Sequence, residues 1–431
     1  MKRAAIDNLY KWKDKTGRKP LIIRGARQVG KTWIMKAFAE EAFERYVYIN
    51  FEDDETAKHL FEKDFDIERI LLSLQVITGQ VIDDRTLLLF DELQEAPRGI
   101  TALKYFYEKA PHIPVIAAGS LLGISLHENN SFPVGKVDFM DLYPLSFVEF
   151  LDAIGESQLC LVLKKKNWDV LTLFHDKLKE RLRQYYYVGG MPEAVLSFVT
   201  YKDYAAITEI HQAILDAYDR DFSKHAPLSE VPRLRMVWRS IVAQLSKENR
   251  KFIYGLIKEG ARAKEFELAI EWLRDAGLVY KVTRTKKGQI PLTAYEDPGA
   301  FKLFMLDVGL MRTMAKIPMQ ALLDGNALFT DFKGVLTEQY VMQELKYHPH
   351  IDIHYWSADN SRGELDFLVQ LEKDIYPIEV KAEENLQSKS LSTFVKNNPN
   401  LHGIRFSMSP YRKQDWMTNF PLYAVNLISN V

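Results

Sequence analysis

The chain has 431 residues, more than one hydrophobic core normally supports, so about two to four domains are expected. Hydrophobic residues make up 47% and charged residues 27% of the sequence, as in ordinary globular proteins, and no low-complexity segment is present. The net charge of −1 gives no general attraction to nucleic acid or membranes, so any such surface must be local.

Three features bear on the compartment. The only cysteine, Cys160, excludes an internal disulfide and a cysteine-based zinc site, which favours a reducing cytoplasm. The first residues lead into an amphipathic helix with no apolar signal core. No uncharged apolar run approaches the ~20 residues that a membrane span needs. We therefore expect a cytoplasmic protein with no membrane partner.

The first element with a chemical signature runs from Leu21 to Thr32. An apolar strand breaks into a loop bounded by two glycines, and the loop ends in Lys-Thr where a helix should begin, which is the pattern of a phosphate-binding P-loop. Lys31 is predicted to reach the β- and γ-phosphates of ATP, and Thr32 to hold Mg²⁺. An accidental match is the alternative. The predicted nucleotide-binding residues are Gly25, Ala26, Arg27, Gln28, Val29, Gly30, Lys31, Thr32 and Trp33.

A second motif, which is acidic, lies about 60 residues after the P-loop. The strand Thr86–Phe90 ends in Asp91 and Glu92, which suits a Walker-B motif. Asp91 is predicted to organise Mg²⁺, and Glu92 to polarise the attacking water. The alternative is a strand followed by a helix N-terminus, where acids are favoured in any case. After a P-loop, the catalytic interpretation is favoured.

The strand Pro114–Gly119 leads to Ser120, which is predicted to hydrogen-bond the γ-phosphate or its water. A helix cap is the alternative role. The stretch from Lys136 to Pro144 is predicted as the last strand of this core. The candidate catalytic residues are therefore Glu92, Lys31 and Ser120.

These motifs resemble a prokaryotic AAA-type P-loop ATPase family whose members carry an uncharacterised C-terminal domain. The resemblance implies a three-layer sandwich with one strand between the P-loop and Walker-B strands. Lys136 stands where such enzymes usually place an arginine that acts on a neighbour's nucleotide. Either hydrolysis is weakly stimulated across subunits or another group such as Arg98 acts, so an oligomer is possible but a ring is in doubt. Matching segments are Arg27–Thr32, Leu89–Gln94, Ala118–Ser120, Phe132–Val137, Leu142–Phe150, Gly189–Ala194, Ala276–Leu278, Phe301–Leu310 and Glu379–Lys381.

Helical periodicity dominates from 147 to 226 and predicts a lid. Three helical segments and a hairpin between Arg233 and Leu292 have the winged-helix order, with Lys264–Ala276 as recognition helix and Gln289–Thr293 as second wing strand. Residues 226–300 hold 14 Lys/Arg and 9 Asp/Glu, a basic excess that suits DNA. Acidic residues on the recognition helix oppose this, so a protein-contact role is equally open.

The last third has a nuclease-like pattern. A helical stretch carrying Glu338 precedes three predicted strands, 352–356, 364–371 and 375–381, and a turn at 372–374 should bring Asp366 beside Glu379. The pattern resembles the PD-(D/E)xK nuclease superfamily. The resemblance implies that Asp366 and Glu379 bind Mg²⁺ or Mn²⁺, supported by Glu338 and Lys381. A solvated strand face is the alternative. The predicted remainder of this fold is a helix at 388–396 and strands near 402–406 and 422–426.

The sequence thus predicts an α/β chain with four parts: a P-loop ATPase core (1–146), a helical lid (147–226), a winged-helix-like segment (227–296) and a restriction-endonuclease-like domain (297–431). The predicted function is a Mg²⁺-dependent ATPase that couples its nucleotide state to a DNA-binding or nuclease-like region. The alternative is an ATP-gated, non-catalytic binding or scaffold protein. A small-molecule kinase is disfavoured, because kinases do not need the Asp91–Glu92 pair.

Overall fold

The computed structural model describes residues 1–119, 133, 135–248, 250–323, 330–348, 350–359, 363–384 and 387–430. The chain folds into two compact units. The smaller unit comprises Lys2–Tyr143 together with Asp275–Leu278, and the larger comprises Met1, Pro144–Arg274 and Val279–Val431. Among the described residues, no helix is long and apolar enough to cross a lipid bilayer.

The smaller unit is built on a parallel sheet of five strands in the order β2-β3-β4-β1-β5. β3 has three leucines and a phenylalanine between Thr86 and Asp91, and all six residues are buried, as expected of a central strand in such a sheet. β4 lies between β1 and β3, which confirms the expected inserted strand. The strands are β1 Leu21–Arg24, β2 Arg45–Asn50, β3 Thr86–Asp91, β4 Val115–Ala118 and β5 Asp138–Asp141.

Helices of the smaller unit begin and end where local chemistry dictates. The helix Ile67–Thr78 shows this best: the Asp66 carboxylate accepts hydrogen bonds from the first backbone N–H groups, and Gly79 ends the helix with a left-handed φ of 66°. The helices described here are α1 Ala5–Lys13, α2 Lys31–Ala42, α3 Glu55–Lys58, α4 Ile67–Thr78 and α5 Gly99–Lys109, with a 3₁₀ turn at Leu93–Glu95.

The larger unit begins with a run of helices, as the periodicity predicted. Ser146 and Glu149 form a reciprocal capping box at the start of the first one. These helices are α6 Phe147–Ala153, α7 Ser157–Lys164, α8 Trp168–Leu173, α9 His175–Val188, α10 Pro192–Tyr201, α11 Tyr204–His225, α12 Val231–Leu245 and α13 Ala263–Asp275, whose last residue is grouped with the smaller unit.

An eight-stranded mixed sheet organises the rest of the larger unit, in the order β12-β13-β11-β10-β9-β8-β6-β7. β9 and β10 form the predicted hairpin, with Glu372 in the left-handed region at the turn. Its strands are β6 Val279–Thr285, β7 Glu296–Met305, β8 Ile351–Ser357, β9 Glu364–Leu371, β10 Asp374–Val380, β11 Gly403–Ser407, β12 Arg412–Lys413 and β13 Met417–Pro421. The remaining helices are α14 Val308–Met314, α15 Met319–Leu323, α16 Thr330–Leu345 and α17 Lys389–Asn397.

A buried aspartate joins two motifs that lie far apart in the sequence. Asp307 caps α14 by accepting hydrogen bonds from the N–H groups of Gly309 and Leu310 at 2.9 and 3.0 Å, and it accepts another from Gly190 N at 2.6 Å. A Cβ on Gly189 would lie 2.2 Å from the Asp307 carboxylate. Gly189 is therefore needed for packing against this carboxylate, whereas a Cβ on Gly190 would lie 2.1 Å from the carbonyl oxygen of Leu145.

Two predicted strands are wrong. Residues 289–291 are irregular and Leu292–Tyr295 form a 3₁₀ turn, so β6 pairs instead with the later strand β7. The apolar stretch Leu422–Asn430 is a 3₁₀ helix and follows the strand β13. The predicted winged helix is not confirmed: in the described part of its segment there are two α-helices and two 3₁₀ turns, Tyr254–Leu256 and Leu292–Tyr295, and β6 belongs to the large sheet. The four-part division of the chain stays a prediction.

Candidate functional site

The backbone of the P-loop depends on its two glycines. Gly25 has φ of 151°, and a Cβ there would lie 2.2 Å from the carbonyl oxygen of Leu142. Gly30, with φ of 95°, immediately precedes α2, which begins at Lys31. The loop between them lets the first N–H groups of α2 and its positive dipole end face an anion. This geometry suits a bound phosphate group.

Lys31 is turned back onto its own loop. Its Nζ donates hydrogen bonds to the carbonyl oxygens of Gly25 and Ala26, both at 2.9 Å. Burial lowers the pKa of this ammonium to about 8, while the nearby Glu92 and Asp91 carboxylates oppose the shift. An incoming phosphate offers the ammonium charged acceptors in place of two carbonyl groups, and such charge-assisted hydrogen bonds are stronger.

The ends of α2, β2 and β3 meet at Asp91. The hydroxyl of Thr32 donates to Asp91 Oδ2 at 2.6 Å, and the phenol of Tyr48 donates to the same oxygen at 3.0 Å. Asp91 is buried. Thr32 and Asp91 are thus adjacent, as a magnesium ion held by both would need. Tyr48 was not identified from the sequence, since its strand position alone shows no chemistry.

Glu92 follows Asp91 at the end of β3. Its backbone is in the left-handed region at φ 49°, which is uncommon for a residue other than glycine. Its carboxylate accepts a hydrogen bond from Gln94 Nε2 at 2.5 Å. The turn therefore directs Glu92 away from the continuing strand, and its carboxylate lies near enough to Lys31 to oppose the lowering of the pKa of that ammonium by burial.

Two distant segments support the P-loop. The buried Arg3 guanidinium donates to the carbonyl oxygens of Val29, at 3.1 Å, and Tyr143, at 2.6 Å. Gly277, from the short segment that the smaller unit takes from late in the chain, has φ of 73°, and a Cβ there would lie 3.1 Å from Ala26 N. Neither contact was predicted, because both join segments far apart in sequence.

The remaining predicted residues of this site have mixed outcomes. Ser120 lies outside the residues that the structure describes. Trp33 is exposed on α2, while Arg27 is half-buried in the loop. Lys136 pairs with Glu108 at 3.1 Å, and Arg98 donates to the carbonyl oxygen of Glu62 at 2.7 Å. Both proposed trans-acting cations therefore have partners within their own unit.

The predicted nuclease-like residues lie together in the larger unit. Continuing the antiparallel register of Phe367 with Ile378 places Asp366 opposite Glu379, and Asp366 Oδ2 accepts from Val380 N at 2.7 Å. Glu338 on α16 is buried, and burial is the main cause that raises its pKa to about 8. The positive charge of Arg250 opposes this rise, and the Asp366 carboxylate adds to it.

Cations of the chain itself occupy this carboxylate cluster. Arg250 donates to Glu338 and lies 3.8 Å from Asp366 Oδ1. Lys381 pairs with Glu379 at 2.8 Å. In the described ranges, no group of three or more His, Cys, Asp and Glu side chains could hold a metal ion. The predicted Mg²⁺ or Mn²⁺ site at Asp366 and Glu379 does not fit this arrangement.

β6, the loop that follows it and β7 form a hairpin whose basic side chains are partly neutralised by acidic ones. Lys281 pairs with Glu271 at 3.2 Å, and Arg284 pairs with Asp297 at 3.3 Å. The exposed lysines of this hairpin are Lys286 and Lys287. The charge available to a phosphate backbone here is therefore smaller than the sequence count indicates.

Comparison with known proteins adds three family matches. Residues 17–151 match the AAA domain family, residues 179–321 match a domain of unknown function (DUF8612), and residues 333–425 match another domain of unknown function (DUF4143). No curated protein matches the sequence. The N-terminal third, which holds the P-loop, is therefore similar to AAA domains.

Several solved structures are similar over most of their length. The Walker-type ATPase of Pyrococcus abyssi is 16% identical, covers 72% of this chain and 94% of its own, and has a TM-score of 0.46. The Orc1 protein of Aeropyrum pernix, solved in complex with DNA, is 14% identical, with 74% and 93% covered and a TM-score of 0.28. Cdc6p of Pyrobaculum aerophilum is 11% identical, with 72% and 88% covered and a TM-score of 0.22. No function follows from these similarities.

Proposed function

We propose that this chain is a Mg²⁺-dependent ATPase that uses its nucleotide state to control a partner-binding larger unit. The observation that carries the proposal is the junction of Thr32, Asp91 and Glu92 beside the P-loop. Two of these side chains already share a hydrogen bond of 2.6 Å. Bound Mg²⁺ would be held by the Thr32 hydroxyl and the Asp91 carboxylate, and its positive charge would offset the negative charge of the phosphates.

The residues of the chain then have distinct tasks. Lys31 binds the β- and γ-phosphates once it leaves its two carbonyl acceptors. Glu92 takes a proton from water at its carboxylate, and Gln94 orients that carboxylate. Ser120 is proposed to sense the γ-phosphate. The Asp91–Glu92 pair favours hydrolysis over transfer to a small molecule.

Two variants test the ATPase assignment. Lys31→Ala should lose tight ATP binding, which isothermal titration calorimetry measures directly; tight binding that persists would refute the P-loop assignment. Glu92→Gln should bind ATP as well as the wild type and hydrolyse it about 10²–10⁴ times more slowly. An unchanged rate would remove Glu92 from the role of general base.

We also propose a route from the nucleotide site to the larger unit. The chain leaves the larger unit after Arg274, passes along the P-loop side of the smaller unit, and returns to the larger unit at Val279. Gly277 on this excursion approaches the P-loop backbone at Ala26. A change in the loop on ATP binding would therefore act on a segment continuous with α13 and β6.

DNA is the partner that we propose for the larger unit, on the basis of the excess of basic residues between 226 and 300. Added DNA should then accelerate ATP hydrolysis in a salt-dependent way, and the acceleration should fall when Lys286 and Lys287 are both replaced by glutamine. A rate unaffected by DNA of every form would favour a protein partner. A cytoplasmic location remains part of the proposal.

Within this function, a non-cleaving role of the nuclease-like region is the second candidate, and one observation favours it. Lysine and arginine side chains already neutralise the carboxylates that a nuclease would use for metal. Incubation of the protein with DNA and Mn²⁺, beside an Asp366→Ala control, separates the two candidates. Cleavage by the wild type that the control lacks would establish a nuclease.

A further inference from the structure

We infer that the Arg250 guanidinium is the resident cation of the carboxylate cluster at Glu338, Asp366 and Glu379, and that it keeps divalent metal ions out. The inference deepens the proposed function of the larger unit, on which it rests, because it says how the nuclease-like site is held without a metal. The cluster lies between α16 and the hairpin of β9 and β10.

The surface of α16 leaves space for this guanidinium beside Glu338. Gly334 and Glu338 are one helical turn apart on α16 and so lie on the same face. A Cβ at position 334 would be 3.1 Å from Arg250 Nη2, so the glycine leaves room for one edge of the guanidinium. Arg250 Nη1 donates to the buried Glu338 carboxylate and lies 3.8 Å from Asp366. A planar donor group therefore fits between the helix and the hairpin.

Charge in the region is balanced from within the chain. The buried Lys302 ammonium lies 2.5 Å from Glu364, and Lys381 lies 2.8 Å from Glu379. Each carboxylate in the region thus has a cation within 4 Å. The region contains four cations and four carboxylates: Arg250, Lys302, Lys381 and Arg405, and Glu338, Glu364, Asp366 and Glu379. Because these charges already compensate one another, a divalent ion gains little net attraction from the set and would have to displace a resident cation.

The carboxylate cluster still contains oxygen atoms that a metal ion could bind. Glu338 Oε2 and Glu379 Oε2 are buried and accept no hydrogen bond from the described residues, and the Nε of Arg250 donates none. In its protonated form Glu338 shares a hydrogen bond with the Asp366 carboxylate, which helps to raise its pKa. Glu338 is 2% exposed and Glu379 is 7% exposed. Buried carboxylate oxygens without partners are costly to a fold and are the atoms that Mg²⁺ and Mn²⁺ bind. No three acidic side chains are grouped as metal ligands in the described residues, and we attribute this to the guanidinium that lies between Glu338 and Asp366.

Binding of Mn²⁺ to the full chain without nucleotide tests the inference. The variants are Arg250→Gln, Arg250→Lys and the double change Arg250→Gln with Asp366→Asn, each checked for folding by circular dichroism. Arg250→Gln should gain a Mn²⁺ site at least about tenfold tighter than anything that the wild type shows in this region, because the repelling charge is gone. Arg250→Lys keeps the charge and should behave as the wild type. The double variant should lose the gained site.

Comparison of the wild type with Asp366→Asn gives a second reading that does not need an Arg250 variant to fold. Their Mn²⁺ titrations should coincide, since metal bound near the P-loop contributes equally to both. A wild-type site that disappears in Asp366→Asn would overturn the inference, and so would a folded Arg250→Gln that gains no site. ATP hydrolysis does not enter either measurement, so failure here leaves the ATPase proposal standing.

Discussion

Replacing Glu344 by glutamine is expected to stabilise the larger unit at alkaline pH. Glu344 lies on α16 and is 1% exposed. Its carboxylate accepts a hydrogen bond from the backbone N–H of Phe147, at the start of α6, at 2.8 Å. Burial raises the pKa of Glu344 to about 8, the Phe147 N–H opposes the rise, and the nearby Glu149 adds to it. A glutamine retains the acceptor oxygen without ever acquiring a charge.

The sign and size follow from the two pKa values. Because the folded pKa is raised, the folded chain holds a proton that the unfolded chain releases, so the stabilisation is complete below the unfolded pKa of 4.5 and is lost as pH rises through about 8. Between these two pKa values, each unit of pH lowers the free energy of unfolding of the wild type by about 1.4 kcal/mol. The loss is therefore about 3 kcal/mol near neutral pH and about 5 kcal/mol above the folded pKa. Water that enters the site reduces the loss, so we expect about 2–5 kcal/mol.

Urea unfolding at about pH 5, 7 and 9, followed by circular dichroism, measures this effect. The free energy of unfolding of Glu344→Gln should equal that of the wild type near pH 5 and exceed it increasingly toward pH 9. Glu209→Gln is the matched control, because Glu209 is exposed on the helix α11. Parallel pH profiles for Glu344→Gln and the wild type would refute the reasoning, since no buried charge would then be forming at position 344.

Two further predictions concern the nucleotide site. Tyr48→Phe removes a donor to the Asp91 carboxylate and should raise the Mg²⁺ concentration for half-maximal ATP hydrolysis about two- to tenfold; an unchanged Mg²⁺ dependence would show that the phenol does not orient Asp91. Gly277→Ala should weaken ATP binding, measured by calorimetry, because a Cβ would press on Ala26 N at 3.1 Å. Gly17→Ala is its control, since Gly17 has a similar φ of 69° and open space around it; equal effects on ATP affinity would contradict the close approach.

Local patterns were sufficient where the chemistry is contiguous. The segment Gly25–Thr32 carries its glycines, lysine and threonine in one loop, and the acids at the end of β3 follow one buried strand. The hairpin of β9 and β10 was also predictable, because alternating side chains and a short turn fix its register. Each of these features depends on neighbours within a few residues.

Predictions failed where nothing in the local sequence distinguishes a strand from a helix or fixes which strand pairs with which. The stretch at Leu422–Asn426 suits a strand and a helix equally by composition, and in the structure it is part of a 3₁₀ helix. The partner of β6 was placed too early, because the true partner, β7, begins only at Glu296. Sequence spacing gives no information about which of two later segments pairs with a strand.

The sequence by itself determined the phosphate-binding loop, the acidic pair at Asp91 and Glu92, and the strand hairpin of the last third, since each is a local arrangement with a recognisable period. Only the tertiary structure decided that Tyr48 binds Asp91, that Gly277 lies on the P-loop, and that Arg250 lies among the carboxylates. The physical reason is the same in each case. A contact between segments far apart in the chain depends on how strands and helices pack, and no short pattern records that packing.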